Sequence, residues 1–228
     1  MTIESNDPTQ DYKLFYGKYL EQMPKLLIEG RIPLSFKDVM QRRLEAANSQ
    51  YPNLIEAWLD NYFDTGDACV IDSRGNLKVV HDSKHLRGLT PKTELKDGAL
   101  YLPSGEYDRL DCEEFSPATL KKHGVEDSLI EKQVNEHPVW KALARGDEAL
   151  LKAYSQMIFA KVKEKFHYDK NMGIYLPLAQ EMPQLRSWFA NRLDYRSVAN
   201  GRSGLGNDYG RLVGVAKNLE SKIQKRDT

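Results

Sequence analysis

The residues best suited to bind another molecule lie near the end of the chain. Residues 185–228 carry nine basic and four acidic residues, and their arginines are interleaved with aromatic residues and glycines. Guanidinium groups pair with phosphates and carboxylates, and aromatic rings stack on bases. The predicted anion-binding residues of this segment are Arg192, Tyr195, Arg196, Arg202, Tyr209 and Arg211. Such a surface predicts an anionic ligand, a nucleic acid or a protein as the partner.

The same charges have a structural alternative. The chain has 33 basic and 33 acidic residues, so its formal net charge is zero. A neutral protein exerts no strong field on a polyanion, which favours arginines that are neutralised inside the fold. Residues 1–66 carry ten acidic and seven basic residues and are the predicted source of the counter-charges.

Four carboxylates form a second candidate site. Glu56, Asp60 and Asp64 are each four residues apart, and Asp67 follows. On a helix, side chains at this spacing share a face, and like charges there repel each other. Mg²⁺ or Mn²⁺ would relieve the repulsion because hard cations prefer carboxylate oxygens. These acids give the alternative function, a metal-dependent hydrolase, and neighbouring arginines are the structural alternative to the metal.

The glycine-rich segment 201–210 matches no catalytic or nucleotide-binding motif. Too few residues follow it to complete a dinucleotide-binding βαβ unit. Asn207 and Asp208 replace the Lys and Ser/Thr of a phosphate loop, and the glycine after Ser203 comes one place too early for a nucleophile elbow. No nucleophile, base and orienting group can be named together. A non-enzymatic binding or regulatory module is therefore the predicted function, and the sequence does not indicate whether it has a cofactor.

Three helices are predicted in residues 1–66 to position the carboxylates. Aromatic residues at helical spacing predict the first helix from Tyr12 onward. A capping-box pattern at Ser35 predicts the start of the second. Pro52 opens the third, whose apolar stripe continues to Phe63 and would carry the acids beside it.

A hairpin is predicted in the middle of the chain. Residues 68–71 and 77–80 are apolar and flank a turn sequence. Further short strands are predicted at 86–89 and 99–102. Helical patterns return in the second half of the chain at four places, which begin at Pro117, Pro138, Asp147 and Leu185.

The order of these elements predicts the fold class. Helices, then strands, then helices indicate an α+β protein that is mainly helical, with a small central antiparallel sheet flanked by N- and C-terminal helices. A single compact domain over residues 1–228 is predicted. Its parts are a helical layer at 1–66, the sheet at 67–110, a helical part at 111–199, and a Gly/Arg-rich loop with a charged tail at 200–228.

The composition predicts a cytoplasmic protein that does not enter a membrane. Apolar residues make up 40% of the chain and charged residues 29%, as in ordinary globular proteins. The first residues are polar and acidic, unlike a secretory signal, and the apolar runs are far shorter than the roughly 20 residues of a membrane span. Cys69 and Cys112 match no metal or redox spacing, which indicates reduced thiols.

Overall fold

The computed structural model describes residues 12–103, 105–126, 128–194 and 196–216, and in this part of the chain ten strands form one mixed sheet. The strands are β1 (Tyr12–Tyr16), β2 (Arg31–Pro33), β3 (Phe63–Ile71), β4 (Leu77–Val80), β5 (Leu100–Tyr101), β6 (Glu113–Phe115), β7 (Ile174–Tyr175), β8 (Gln184–Ala190), β9 (Ala199–Asn200) and β10 (Arg211–Ala216). The helices are α1 (Tyr19–Ile28), α2 (Phe36–Ala47), α3 (Pro52–Leu59), α4 (Lys84–Arg87), α5 (Pro117–His123), α6 (Glu131–Glu136), α7 (Pro138–Leu143) and α8 (Glu148–Phe166). Within these ranges, no helix combines the length and the apolar character that a membrane crossing requires.

The sheet joins the two ends of the described chain. Its main strand order is β1-β10-β3-β8-β9-β7, so β10 lies between the N-terminal β1 and the central β3. Strands β10 and β3 are parallel, as are β7 and β9, and the other pairs are antiparallel. Short strands extend this order, since β2 pairs with β10, β5 with β8, and β4 with both β3 and β6.

Both faces of the sheet are covered. Along β3, Cys69 and Ile71 belong to the larger apolar cluster, which includes residues of α2, α3, α7 and α8 and all three tryptophans. Their neighbours Ala68 and Val70 belong to a second cluster, with residues of α1 and α4. All nine residues of β3 are buried. Because both faces are covered, residues 68–71 are all apolar and lack the alternation of polar and apolar residues that marks a half-exposed strand.

The prediction of a mainly helical fold with a small central antiparallel sheet is wrong. The sheet is mixed, and it takes strands from both of the segments that were expected to be helical. The predicted helix near Leu185 is strand β8. Both faces of this strand are covered, so its apolar residues do not alternate with polar ones, and Leu185, Trp188 and Phe189 have the spacing of a helix stripe. The predicted strand at 86–89 is instead the short helix α4.

The predicted first helix begins seven residues too early. Tyr12, Phe15 and Tyr16 have helical spacing, but they form β1, which pairs with β10. Gly17 follows with φ at +129°, a backbone angle that favours glycine, and helix α1 starts only at Tyr19. Long-range pairing with the last strand thus overrides the local spacing.

Other local predictions are confirmed. Ser35 and Asp38 form a capping box, in which the Asp38 N–H donates to the Ser35 hydroxyl and the Ser35 N–H donates to the Asp38 carboxylate. The hairpin of β3 and β4 pairs Ala68 with Val80. Helix α8 starts after Asp147, whose carboxylate caps it by accepting the N–H of Leu150. Of the predicted Gly/Arg-rich loop and charged tail at 200–228, residues 217–228 lie outside the described residues.

Candidate functional site

An open groove of about 480 Å³ lies where strand β8, the loops on either side of β9 and the residue before β3 meet. We call it the groove. Aromatic, amide, hydroxyl and charged side chains surround it, and its lining residues are Tyr62, Phe189, Asn191, Arg192, Asp194, Arg196, Asn200, Arg202, Ser203, Asn207, Tyr209 and Gly210.

A row of rings and one guanidinium group runs along the edge of the groove. The Arg211 guanidinium carbon lies 5.5 Å from the centroid of the Tyr16 ring and 5.2 Å from that of Tyr62. The Tyr62 ring in turn lies 5.0 Å from the Phe189 ring, with 30° between the ring planes. We call these four residues the cation–aromatic row. Contacts of this kind stabilise each neighbouring pair by about 0.5–1 kcal/mol at exposed positions.

The strand order of the sheet produces this row. Tyr16 ends β1 and pairs with Arg211, the first residue of β10. Tyr62 immediately precedes β3, and Phe189 lies near the end of β8. Because β1, β10, β3 and β8 are consecutive in the sheet, four segments distant in sequence each contribute one side chain at the same level.

Short backbone contacts fix the row in place. The Tyr62 hydroxyl donates to the Tyr209 carbonyl over 2.8 Å, and the Gly17 N–H donates to the Gly210 carbonyl over 2.9 Å. A Cβ atom at Gly210 would lie only 2.5 Å from the Gly17 carbonyl oxygen, so glycine is required there. The Arg211 N–H donates to the carboxylate of Asp64 over 2.9 Å.

Asp64 is a buried acid beneath the groove. Its side chain belongs to β3, and the residue is 5% exposed. Burial raises the pKa of this carboxyl to about 7, although the N–H of Arg211 acts in the opposite direction. The joint between β3 and β10 therefore contains an acid whose charge changes near neutral pH.

Asp194 organises the loop that carries two of the predicted arginines. Its Oδ2 accepts the Arg192 Nε–H over 3.0 Å, and its Oδ1 accepts the backbone N–H of Arg196 over 2.7 Å. Both arginines are exposed and line the groove. The ion pair orients Arg192 without removing it from solvent.

Arg202 is held more tightly. Its Nε–H donates to the Leu176 carbonyl over 2.7 Å, and its Nη2 lies 2.5 Å from the Glu126 carboxylate. Its guanidinium carbon is also 5.5 Å from the Tyr175 ring centroid. The counter-charges of Arg192 and Arg202 are thus Asp194 and Glu126, and neither acid belongs to residues 1–66, from which the sequence predicted them.

The groove collects most of the predicted anion-binding residues. Arg192, Arg196, Arg202 and Tyr209 line it, and Arg211 flanks it by stacking on Tyr62. Tyr195 lies outside the described residues.

Sequence reasoning missed the other half of the groove. The spacing of neighbouring apolar residues predicts helix stripes for Tyr62 and Phe189, and no motif marks the amides and hydroxyl at Asn191, Asn200, Ser203 and Asn207. A usable signal was the composition of residues 191–210, because Tyr, Ser, Gly, Asn and Arg are the residue types enriched in antibody binding loops.

The four predicted metal-binding carboxylates do not share a face. Helix α3 ends at Leu59, so Glu56 lies on the helix and Asp60 follows its end, both exposed. Asp64 and Asp67 are buried in strand β3. In the ranges that the structure describes, no group of three or more His, Cys, Asp or Glu side chains is placed to hold a metal ion. The helical face that the metal hypothesis required is therefore absent from these residues.

Gly201, which follows β9 beside the groove, is expected to tolerate no side chain. A Cβ atom there would lie 2.5 Å from the Sγ of Cys69 and 3.0 Å from its Cβ. We expect Gly201→Ala to lower the free energy of unfolding by about 1–3 kcal/mol, as overpacking of a core does. Urea unfolding measures the change, and adding Cys69→Ala should restore part of it. A full loss that Cys69→Ala leaves unchanged would show that another contact is responsible.

Comparisons with known proteins identify the fold. No protein-family model matches the chain, and no curated protein does. The chain is similar to a solved structure described as the accommodation of massive sequence variation in Nanoarchaeota by the C-type lectin fold. The TM-score is 0.67 at 19% sequence identity, over 93% of this chain and 100% of the other. The chain therefore has the sheet-rich C-type lectin fold, in place of the mainly helical fold expected from its sequence.

Proposed function

We propose that this protein is a non-enzymatic binding module that holds an acidic segment of a partner protein in the groove. One observation carries the proposal: Arg192, Arg196 and Tyr209 are exposed around a rigid row of stacked side chains built by four adjacent strands. Side chains on a scaffold of this kind bind with little loss of conformational entropy, which raises affinity.

The lining of the groove suits a protein partner. Tyrosine and phenylalanine rings supply large contact area with few rotatable bonds, and asparagine and serine supply adaptable hydrogen bonds. The lining residues include three arginines and one aspartate, a formal surplus of two positive charges. Arginine pairs with carboxylates in a bidentate geometry, so an acidic segment complements this surface.

The structural neighbour supports the same use of the fold. Its description says that a C-type lectin fold accommodates massive sequence variation. In this chain the exposed groove residues Arg192, Arg196 and Asn207 lie outside the two apolar clusters, which cover the faces of the sheet. A surface whose side chains can change while the core stays intact is suited to recognition.

A cytoplasmic location is part of this proposal. Both cysteines are free, Cys69 being buried and Cys112 half-buried. Burial raises the pKa of the Cys69 thiol, which protects it from reaction. Reduced thiols of this kind are compatible with a reducing compartment.

Selection of a random peptide library on the immobilised protein tests the proposed function. We expect enrichment of peptides rich in Asp and Glu, and a loss of affinity of roughly tenfold or more for Arg192→Gln/Arg196→Gln, since charge-assisted hydrogen bonds are lost. Tyr209→Ala should weaken the same peptides. The double variant Lys132→Gln/Lys152→Gln is the matched control, because it removes two exposed positive charges from helices α6 and α8.

Two results would contradict the proposal. Peptides that bind the groove variants and the wild type equally would place recognition elsewhere. A single-stranded oligonucleotide that binds more tightly than any selected peptide, with a steep dependence on salt and loss in Arg192→Gln/Arg196→Gln, would assign the groove to nucleic acid.

A further inference from the structure

A second pocket, of about 560 Å³, shares no lining residue with the groove. Its polar side chains come from helix α5, the loop before α6, helix α6 itself and the segment after α8, and they are Lys121, Lys122, His123, Ser128, Gln133 and Lys170. We infer that this lysine pocket is a binding site for a compact, multiply charged oxyanion of the phosphate type, independent of the groove and its partner.

The lysines of the pocket are brought together from separate parts of the chain. Lys121 and Lys122 lie in the last turn of α5, whereas Lys170 follows α8. Next to Lys170, Leu129 and Asn171 exchange two backbone hydrogen bonds of 2.8 Å each. This bridge holds the segment of Lys170 against the loop that carries Ser128, so the positive charges converge through the fold itself.

The acids nearest to these lysines in the sequence already form ion pairs with other basic residues. Asp169 lies 3.5 Å from the ammonium of Lys163, and Glu126 pairs with Arg202. Among the described residues, Lys121, Lys122 and Lys170 have no carboxylate within ion-pair distance. Their charges are therefore left for a ligand, unlike those of Lys13, Lys37 and Lys141, which all form ion pairs.

The remaining polar groups in the pocket are suited to donate hydrogen bonds to a ligand. The Gln133 Oε1 accepts the N–H of Ile130 over 3.0 Å, which leaves the amide NH₂ of Gln133 to donate to a ligand. The Ser128 hydroxyl supplies another donor. Ammonium groups act as point charges on phosphate oxygens and lack the flat, bidentate geometry that favours a carboxylate. The lining thus matches an oxyanion with several acceptor oxygens.

An explanation that needs no ligand accounts for only two of the three lysines. Basic residues near a helix C-terminus are stabilised by the helix dipole, which accounts for Lys121 and Lys122. Lys170 lies outside any helix, and the Leu129–Asn171 bridge places it at the same pocket. The dipole does not explain its position.

Isothermal titration calorimetry with inorganic pyrophosphate at low salt tests the site. We expect saturable binding to the wild type, and a loss of affinity of about tenfold for Lys122→Gln/Lys170→Gln, because two charge contacts are removed. The matched control Lys132→Gln/Lys152→Gln should bind as the wild type does. Arg192→Gln/Arg196→Gln should also leave pyrophosphate binding unchanged, although we expect it to weaken the binding of acidic peptides to the groove roughly tenfold or more. Thermal unfolding of each variant without ligand checks that it is folded.

Three outcomes would overturn the inference. The first is the absence of measurable pyrophosphate binding at low salt. The second is an equal loss in the Lys132→Gln/Lys152→Gln control, which would indicate unspecific attraction to overall charge. The third is a loss in Arg192→Gln/Arg196→Gln, which would place the anion in the groove. A failure of the groove proposal with pyrophosphate binding intact would leave the lysine pocket supported.

Discussion

Replacing Asp67 with alanine should destabilise the protein by about 3 kcal/mol or more, because a buried carboxylate and its partners are lost together. Asp67 is 0% exposed. Its Oδ2 accepts the N–H of Phe36 over 2.8 Å, and its Oδ1 accepts the N–H of Asp82 over 2.9 Å. Arg145 lies 3.3 Å from the same Oδ1. One side chain thus ties β3 to the start of α2, to the turn after β4 and to the turn before α8.

The pH dependence gives this prediction a second readout. Burial alone would raise the pKa of Asp67, but the His81 ring, the N–H groups of Asp82 and Phe36, and Arg145 together hold the pKa below its usual value. A lowered pKa in the folded state contributes stability above the unfolded value of about 4, and this stability is lost as the pH falls further. The penalty of Asp67→Ala should therefore be largest near neutral pH and shrink in acid.

Urea unfolding of Asp67→Ala at neutral and acidic pH measures both effects. Asp60→Ala is the control, since Asp60 is an exposed carboxylate just before the same strand, and we expect it to change stability by less than about 0.5 kcal/mol. Equal stability of the two variants at neutral pH would show that the Asp67 contacts contribute no net stabilisation.

The parts of the fold that the sequence predicted correctly depend on neighbours in the chain. The Ser35–Asp38 capping box, the hairpin of β3 and β4, and the Asp147 cap of α8 each involve residues a few positions apart. Their interactions form within one turn or one hairpin, so the residue types alone specify them. Helix α8 is also 19 residues long, a length at which apolar residues at helical spacing predict a helix and not a strand.

The wrong predictions concern elements that depend on residues far away in the sequence. Strand β1 exists because β10 pairs with it across almost the whole chain, and no local pattern records that pairing. Strand β8 lies between β3 on one side and β5 and β9 on the other, and both of its faces are covered. Its apolar residues therefore do not alternate with polar ones, and their spacing resembles a helix stripe. The sequence therefore predicts too few strands toward both ends of the described chain.

The candidate site also combines residues that the local sequence predicts with residues that only the fold brings together. The local excess of arginine over acid after residue 184 led to Arg192, Arg196 and Arg202, which do line the groove. Tyr62 comes from a segment more than 100 residues earlier, and only the parallel pairing of β10 with β3 brings it beside Arg211. A charge pattern can indicate a surface, but the rings that shape this surface are assembled by the sheet.

Replacing Asp64 with asparagine should stabilise the protein most at pH 8 and by about a third as much at pH 5. Asp64 is buried like Asp67, but among the described residues the one donor that reaches its carboxylate is the Arg211 N–H, at 2.9 Å. Burial raises the pKa of Asp64 to about 7. The folded protein then holds a proton that the unfolded chain releases near pH 4, so wild-type stability declines as the pH rises from about 4 to about 7. An asparagine carbonyl can still accept the Arg211 N–H, and it carries no charge to desolvate.

The expected gain at pH 8 follows from the difference between the two pKa values. About three units correspond to at most about 4 kcal/mol, which for a chain of this size is on the order of 10 °C in melting temperature. Thermal unfolding of Asp64→Asn and wild type at both pH values measures it, and Asp60→Asn, exposed and a few residues away, is the matched control. A constant difference between Asp64→Asn and wild type from pH 5 to pH 8 would contradict a titration of Asp64 in this range.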